Sequence, residues 1–188
     1  EASEQGRSLR PVLVGPVTFL ALAKDDGTAA EPIEPLDRLE ELLPIYGEIL
    51  AALEDAGAEW VQIDEPILAL DLPQDWKNAF ERAYNLIQRE PCKKLIATYF
   101  GGLEDNLGLA ANLPVDGLHI DLVRAPEQYP TILDRLPAYK VLSLGVVNGR
   151  NVWRTDLSAA LERLECFRDA GARVSVATSN SLIHVPHT

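Results

Sequence analysis

Glu59-Trp60-Val61-Gln62-Ile63-Asp64-Glu65-Pro66 reads as a buried strand at the point where it leaves the core. The apolar run from Trp60 to Ile63 fills a sheet. Two adjacent acids emerge at its carboxyl end, and Pro66, with no N–H to donate, stops the ladder. In parallel α/β proteins that end of the sheet is where chemistry is built. The segment therefore indicates both an architecture and a place to look for a site.

Five further runs share this character: residues 11–17, 94–100, 117–123, 140–147 and 173–177, all rich in Val, Ile and Leu. Continuous apolar runs suit strands covered on both faces. Helical patterns separate most of them. Over residues 37–56, Leu39, Leu42, Leu43, Tyr46, Ile49, Leu50 and Leu53 form an apolar stripe, and Gly57 is placed as a left-handed C-terminal cap. Pro44 is expected to kink or restart this helix, because it removes a backbone donor. Helices are also expected over 74–88 and 156–170, with shorter ones over 106–112 and 127–135, and 25–35 reads as a loop.

Strand–helix alternation argues for parallel βαβ units. No strand leads into a Gly-x-Gly-x-x-Gly turn, which weakens a dinucleotide-binding, doubly wound sheet. Several strands end instead in polar groups: Asp64 and Glu65, Thr98 and Tyr99, His119 and Asp121, Asn148 and Arg150, Ser179 and Asn180. A barrel gathers such groups, because all its strands point to one mouth. A complete barrel takes about 250 residues and eight strands. With six strand runs here, the expected fold class is α/β, an incomplete (β/α)8 TIM-type barrel.

Composition narrows the function. The 188 residues suffice for one core, and 47% hydrophobic with 24% charged is the balance of an ordinary globular domain. A net charge of −12 opposes general binding to nucleic acid. Much of it lies in residues 25–59 and reads as a solvated helix face. An acidic ligand would need a local basic group such as Arg124, Arg150 or Arg154. The apolar runs are too short to span a bilayer, so no membrane partner is expected. Residues 1–8 carry no secretory pattern. Cys92 and Cys166 are far apart, which indicates neither a disulfide framework nor a zinc finger. A cytoplasmic setting is expected. Because Met is absent and residue 1 is Glu, the chain is expected to be a piece of a longer protein.

Arg10-Pro11-Val12-Leu13-Val14-Gly15-Pro16-Val17-Thr18-Phe19-Leu20, followed by Glu59 to Pro66, resembles cobalamin-independent methionine synthase. The likeness continues through Ala97-Thr98-Tyr99-Phe100, Gly117-Leu118-His119-Ile120-Asp121-Leu122-Val123, Asn148-Gly149-Arg150-Asn151-Val152-Trp153-Arg154 and Ser181-Leu182-Ile183-His184. It covers nearly the whole chain and points to the N-terminal of that family's two barrels. The Asn148 to Arg154 piece discriminates most, because no general barrel rule demands it.

The resemblance implies a zinc-dependent methyltransferase that moves a methyl group from 5-methyltetrahydrofolate-polyglutamate to homocysteine. Zinc would stabilise the homocysteine thiolate as nucleophile. Zinc and both reactants are implied to sit on a C-terminal barrel of the same parent chain, the expected partner of this one. The present barrel is implied to be a zinc-free copy that helps hold the folate tail, covering the third to eighth strands. It is expected to be catalytically inert alone and to bind no cofactor. A stand-alone barrel enzyme using strand-end acids, or a non-catalytic scaffold, are the alternatives.

The ligand-facing candidates are Asp64, Glu65, His119, Asp121, Asn148, Arg150 and Asn151. A strand-end acid at 64 or 65 binds an amine or acts as a base, or else caps the next segment or pairs with an arginine. His119 and Asp121 lie two apart on a strand and so share a side, where they form either a functional pair or a structural network. Arg150 either grips a carboxylate or ties its loop to Asp64 and Glu65. Cys92, Cys166, His119, His184 and His187 are scattered, and three or four ligands must converge for zinc. His184 and His187 read as surface or inter-barrel groups, and Trp60, Trp76 and Trp153 as packing residues.

Overall fold

Six parallel strands lie side by side in the order in which the chain makes them. They are β1 (Val12–Val14), β2 (Trp60–Asp64), β3 (Lys93–Ala97), β4 (Gly117–Asp121), β5 (Val141–Val147) and β6 (Arg173–Thr178). The computed structural model describes residues 9–24 and 33–185. Between the strands run α1 (Pro16–Leu22), α2 (Leu39–Asp55), α3 (Gln74–Ile87), α4 (Leu107–Asn112), α5 (Tyr129–Arg135) and α6 (Leu157–Asp169). A doubly wound sheet reverses its strand order at a switch point. Here the order never reverses, so right-handed crossovers put every helix on one side. The fold is α/β, an incomplete barrel of the (β/α)8 type.

Register fixes what each face carries. Asp64 pairs with Ala97, Ala97 with His119, His119 with Ser143 and Ser143 with Ser175. This row, with Gln62, Leu95, Gly117 and Val141 below it, lines the inner face. Val61, Ile63, Ile96, Leu118, Ile120, Leu142 and Leu144 alternate with these residues, and all are fully buried. They pack with Leu50, Phe80, Ala83 and Ile132 from the helices into one core. The helix layer is therefore the apolar one, and polar groups collect on the concave face.

Two lysines are buried in this apolar layer, and both donate to backbone carbonyls. Lys140 Nζ donates to the carbonyls of Ala111 and Leu113, closing α4. Lys94 Nζ donates to Glu90 and Cys92 just past α3. Burial pushes the Lys140 ammonium down to about 8. Lys140 answers carbonyls at the C-terminus of α4, and Lys94 answers carbonyls of the turn that leads from α3 into β3.

Two local expectations need correction. The first strand run, 11–17, is shorter, because Gly15 ends it and Pro16 starts α1. Proline at a first helical position lacks only a donor that the helix would not use. Pro44 does not restart α2, which runs through it after a 3-10 turn at Pro35–Arg38. Of the loop at 25–35, residues 25–32 lie outside the described residues. Gly57 does close α2, with φ +90° and its amide bonded to the Glu54 carbonyl.

The sheet curls tightly enough to constrain one glycine. A Cβ on Gly145 would stand 2.7 Å from Ser179 Cα and 2.9 Å from the Ile120 carbonyl oxygen, both backbone atoms. Gly145→Ala is expected to cost about 1–3 kcal/mol in urea unfolding. Gly108→Ala, whose new methyl meets only the flexible end of Arg135, is expected to keep or raise stability by up to about 1 kcal/mol.

Candidate functional site

The carboxyl ends of the strands form a polar rim. Asp64 ends β2 with its side chain on the concave face, where Gln62 Nε2 donates to Oδ1 at 2.8 Å and the Tyr99 hydroxyl donates to Oδ2 at 3.0 Å. Strand alternation dictates the Gln62 contact, since residues two apart share a face. The carboxylate is half-buried and held in one orientation. Burial first, and then the charge of Asp64, raises the Tyr99 phenol far above its ordinary range, so Tyr99 acts here as a donor only.

Glu65, one residue on, faces the opposite way. It is fully buried in the helix layer and accepts from Thr18 N at 2.8 Å, Val17 N at 3.3 Å and the Tyr84 hydroxyl at 2.8 Å. It closes the start of α1 from across the fold. A Cβ on Gly15 would fall 2.1 Å from this carboxyl, so only glycine lets the side chain pass. The expectation that Glu65 faces a ligand is thus corrected: Pro66 turns the chain so that its side chain continues the buried parity of Val61 and Ile63.

His119 and Asp121 share a side of β4 but do not pair. His119 Nε2 lies 3.3 Å from the Ser179 carbonyl and Nδ1 lies 3.0 Å from Ser143 Oγ. A carbonyl only accepts, so Nε2 carries the proton and Nδ1 accepts from the serine. Burial lowers the imidazole's pKa, and the ring stays neutral. Asp121 accepts from the amides of Phe100, Val123 and Arg124 at 3.0–3.2 Å. It fixes two turns of the rim. One is the turn at Phe100, which has φ +76°, an uncommon backbone state for a bulky residue.

The 148–154 loop completes the rim. Gly149 N donates to Ser179 Oγ at 3.2 Å, and a Cβ there would meet the Asn180 carbonyl at 2.6 Å. Asn148 and Asn151 accept from the amides of Arg150 and Trp153, folding the loop on itself. The Arg150 guanidinium sits 5.1 Å from the Phe100 ring centroid, with its N–H fork toward solvent. Trp153 is 79% exposed and is not the packing residue that its size suggests. The side chain of His184 and all of His187 lie outside the described residues.

The structure brings together Asp64, His119, Asp121, Asn148, Arg150 and Asn151 around one mouth and sets Glu65 apart. Sequence reasoning did not single out Gln62, Ser143 or the backbone of Phe100. The first two were legible as lone polar residues inside apolar strands, at even spacing from Asp64 or opposite His119. Among the described residues no group of three His, Cys, Asp or Glu side chains converges to hold a metal ion. No described helix is long and apolar enough to cross a membrane.

Residues 1–171 match the family described as cobalamin-independent synthase, N-terminal domain. Two solved structures share the fold. A methyltransferase from Methanosarcina mazei is 14% identical with a TM-score of 0.71. A B12-independent methionine synthase from Shewanella sp. W3-18-1, in complex with selenomethionine, is 18% identical with a TM-score of 0.71. Each comparison covers 98% of this chain but only 56% and 58% of the other, so the chain spans little more than half of either.

Because His119 is held neutral, folding excludes a proton that the unfolded imidazole would bind. Stability from this group is present above the ordinary histidine range and is lost as pH falls below it. His119→Gln is expected to show a smaller loss of unfolding free energy between pH 7 and pH 5 than the parent chain, measured by urea titration.

Proposed function

This chain belongs to the cobalamin-independent synthase N-terminal domain family, and on that premise we propose that it is the non-catalytic barrel of a methionine-forming methyltransferase. The parent would transfer a methyl group from 5-methyltetrahydrofolate-polyglutamate to the sulfur of homocysteine. The chemistry would belong to a C-terminal barrel of the same parent chain, which supplies the zinc. Bound there, zinc would hold homocysteine as thiolate. The described residues do not fit a zinc site, since no three His, Cys, Asp or Glu side chains converge among them and the imidazole at the rim has both nitrogens engaged. No step is therefore routed through a metal on this barrel.

The observation that carries this reading is the family match together with a rim whose groups hold rather than react. His119 spends both nitrogens on fixed partners. Asp121 spends both oxygens on amides. Arg150 presents an exposed cationic group at the mouth, suited to the carboxylates of a polyglutamate tail. Asn148 and Asn151 shape the loop that carries it. Such a loop orients the tail by charge and leaves the pteridine to the partner barrel.

Mixed with zinc, homocysteine and the triglutamate methyl donor, the chain alone is expected to form no methionine above background. Methionine formation would overturn the reading. In the parent enzyme, Arg150→Ala is expected to raise KM for the triglutamate donor roughly tenfold, or ~1.4 kcal/mol, with kcat little changed. An unaltered KM, or a fall confined to kcat, would remove Arg150 from tail binding.

A further inference from the structure

Glu65 is a titratable group that the rim does not use, and its surroundings are unusual. The carboxyl has no solvent exposure. Facing it are Thr18 of α1, Tyr46 of α2 and Tyr84 of α3, with Tyr99 just past β3 and the neighbouring Asp64 nearby on the other side of the sheet. These offer hydroxyls and one more acid, and none is a cation. Three donors reach the carboxyl: Val17 N, Thr18 N and the Tyr84 hydroxyl. Beside it stands Thr18 Oγ1, buried and without a well-aligned partner of its own. A carboxylic acid in this place needs one acceptor for its proton, and that hydroxyl is one.

We propose that Glu65 is a proton-operated latch: it holds a proton while α1 is docked, donating it to Thr18 Oγ1, and releases it to water when α1 and the Gly15–Pro16 turn lift from the sheet. Burial is the dominant cause and raises the docked carboxyl to about 7, while the bonds to Thr18, Tyr84 and Val17 pull it back only in part. In the lifted state the carboxyl meets water and ionises as an ordinary glutamate. The docked form therefore binds the proton more tightly. By linkage, docking is strongest below the ordinary glutamate pKa of 4.5, weakens as pH rises from there, and levels off above about 7, where both states are ionised. Since α1 follows directly on β1 at the mouth, the latch makes one wall of the rim responsive to pH on the acid side of neutrality.

The test is amide hydrogen exchange of α1 on the full chain, corrected for the intrinsic pH dependence of exchange. Protection of the α1 amides is expected to fall about tenfold per pH unit between about 5 and 7 and to level off above, while β4 amides hold constant. Glu65→Gln, neutral at all pH, should leave α1 protection flat. Infrared spectra of the wild-type chain should show a carboxylic-acid band that disappears at the pH where α1 protection levels off, which decides the matter should Glu65→Gln fail to fold. Flat α1 protection in the wild type, an equal pH dependence in Glu65→Gln, or no such band at pH 6 would each overturn the latch.

Discussion

Parallel pairing in unbroken order is the constraint on which the molecule depends. It forces every strand to present alternate residues to two different worlds, an apolar helix layer and a polar concave face. Asp64 and Glu65 show the consequence most sharply. They are chemically alike and adjacent in the chain, yet one is half-exposed at the rim and the other has no contact with water. The different partners follow from that parity: Gln62 and Tyr99 for Asp64, the start of α1 and Tyr84 for Glu65.

The same alternation explains what the chain discloses before folding. Val-, Ile- and Leu-rich runs give six strands because a doubly covered strand has almost no freedom of composition. Strand-end polar residues mark the mouth because only there can they reach water or one another. What stays hidden is local geometry. Pro16 looks like the interior of an apolar run and proves to be a helix start, since Val17 to Leu22 are apolar in either state. The opposed directions of Asp64 and Glu65 depend on where the strand stops, and a displacement of one residue would exchange their roles. The left-handed turn at Phe100 has no glycine to announce it, and only the Asp121 carboxylate accounts for it.

Edges tell a complementary story. Among the described residues β1 and β6 each have a neighbour on one side only, and Val12, Val14 and Val176 are exposed along them. The interior pairs β2 to β5 bury nearly all their apolar side chains. The stability of the chain therefore resides in its middle, while the two ends of the sheet carry unpaired ladders, the kind of surface that invites further pairing.

A rim can be rich in titratable residues and still be poor in reactive ones. Reactivity requires an unspent lone pair or proton at the right place. His119 has neither, because Ser143 and the Ser179 carbonyl claim both nitrogens. The oxygens of Asp121 are committed to amides. Asp64 is oriented by two donors, yet no described base stands beside it to exchange a proton with. Its hydroxyl partner Tyr99 is driven away from ionisation by burial and by the acid itself. The arrangement stiffens the mouth and leaves its exposed cation, Arg150, to meet whatever approaches. In that division of labour a hydrogen-bonded network fixes the turns of the rim, and the exposed charge stands on the loop that the network holds in place.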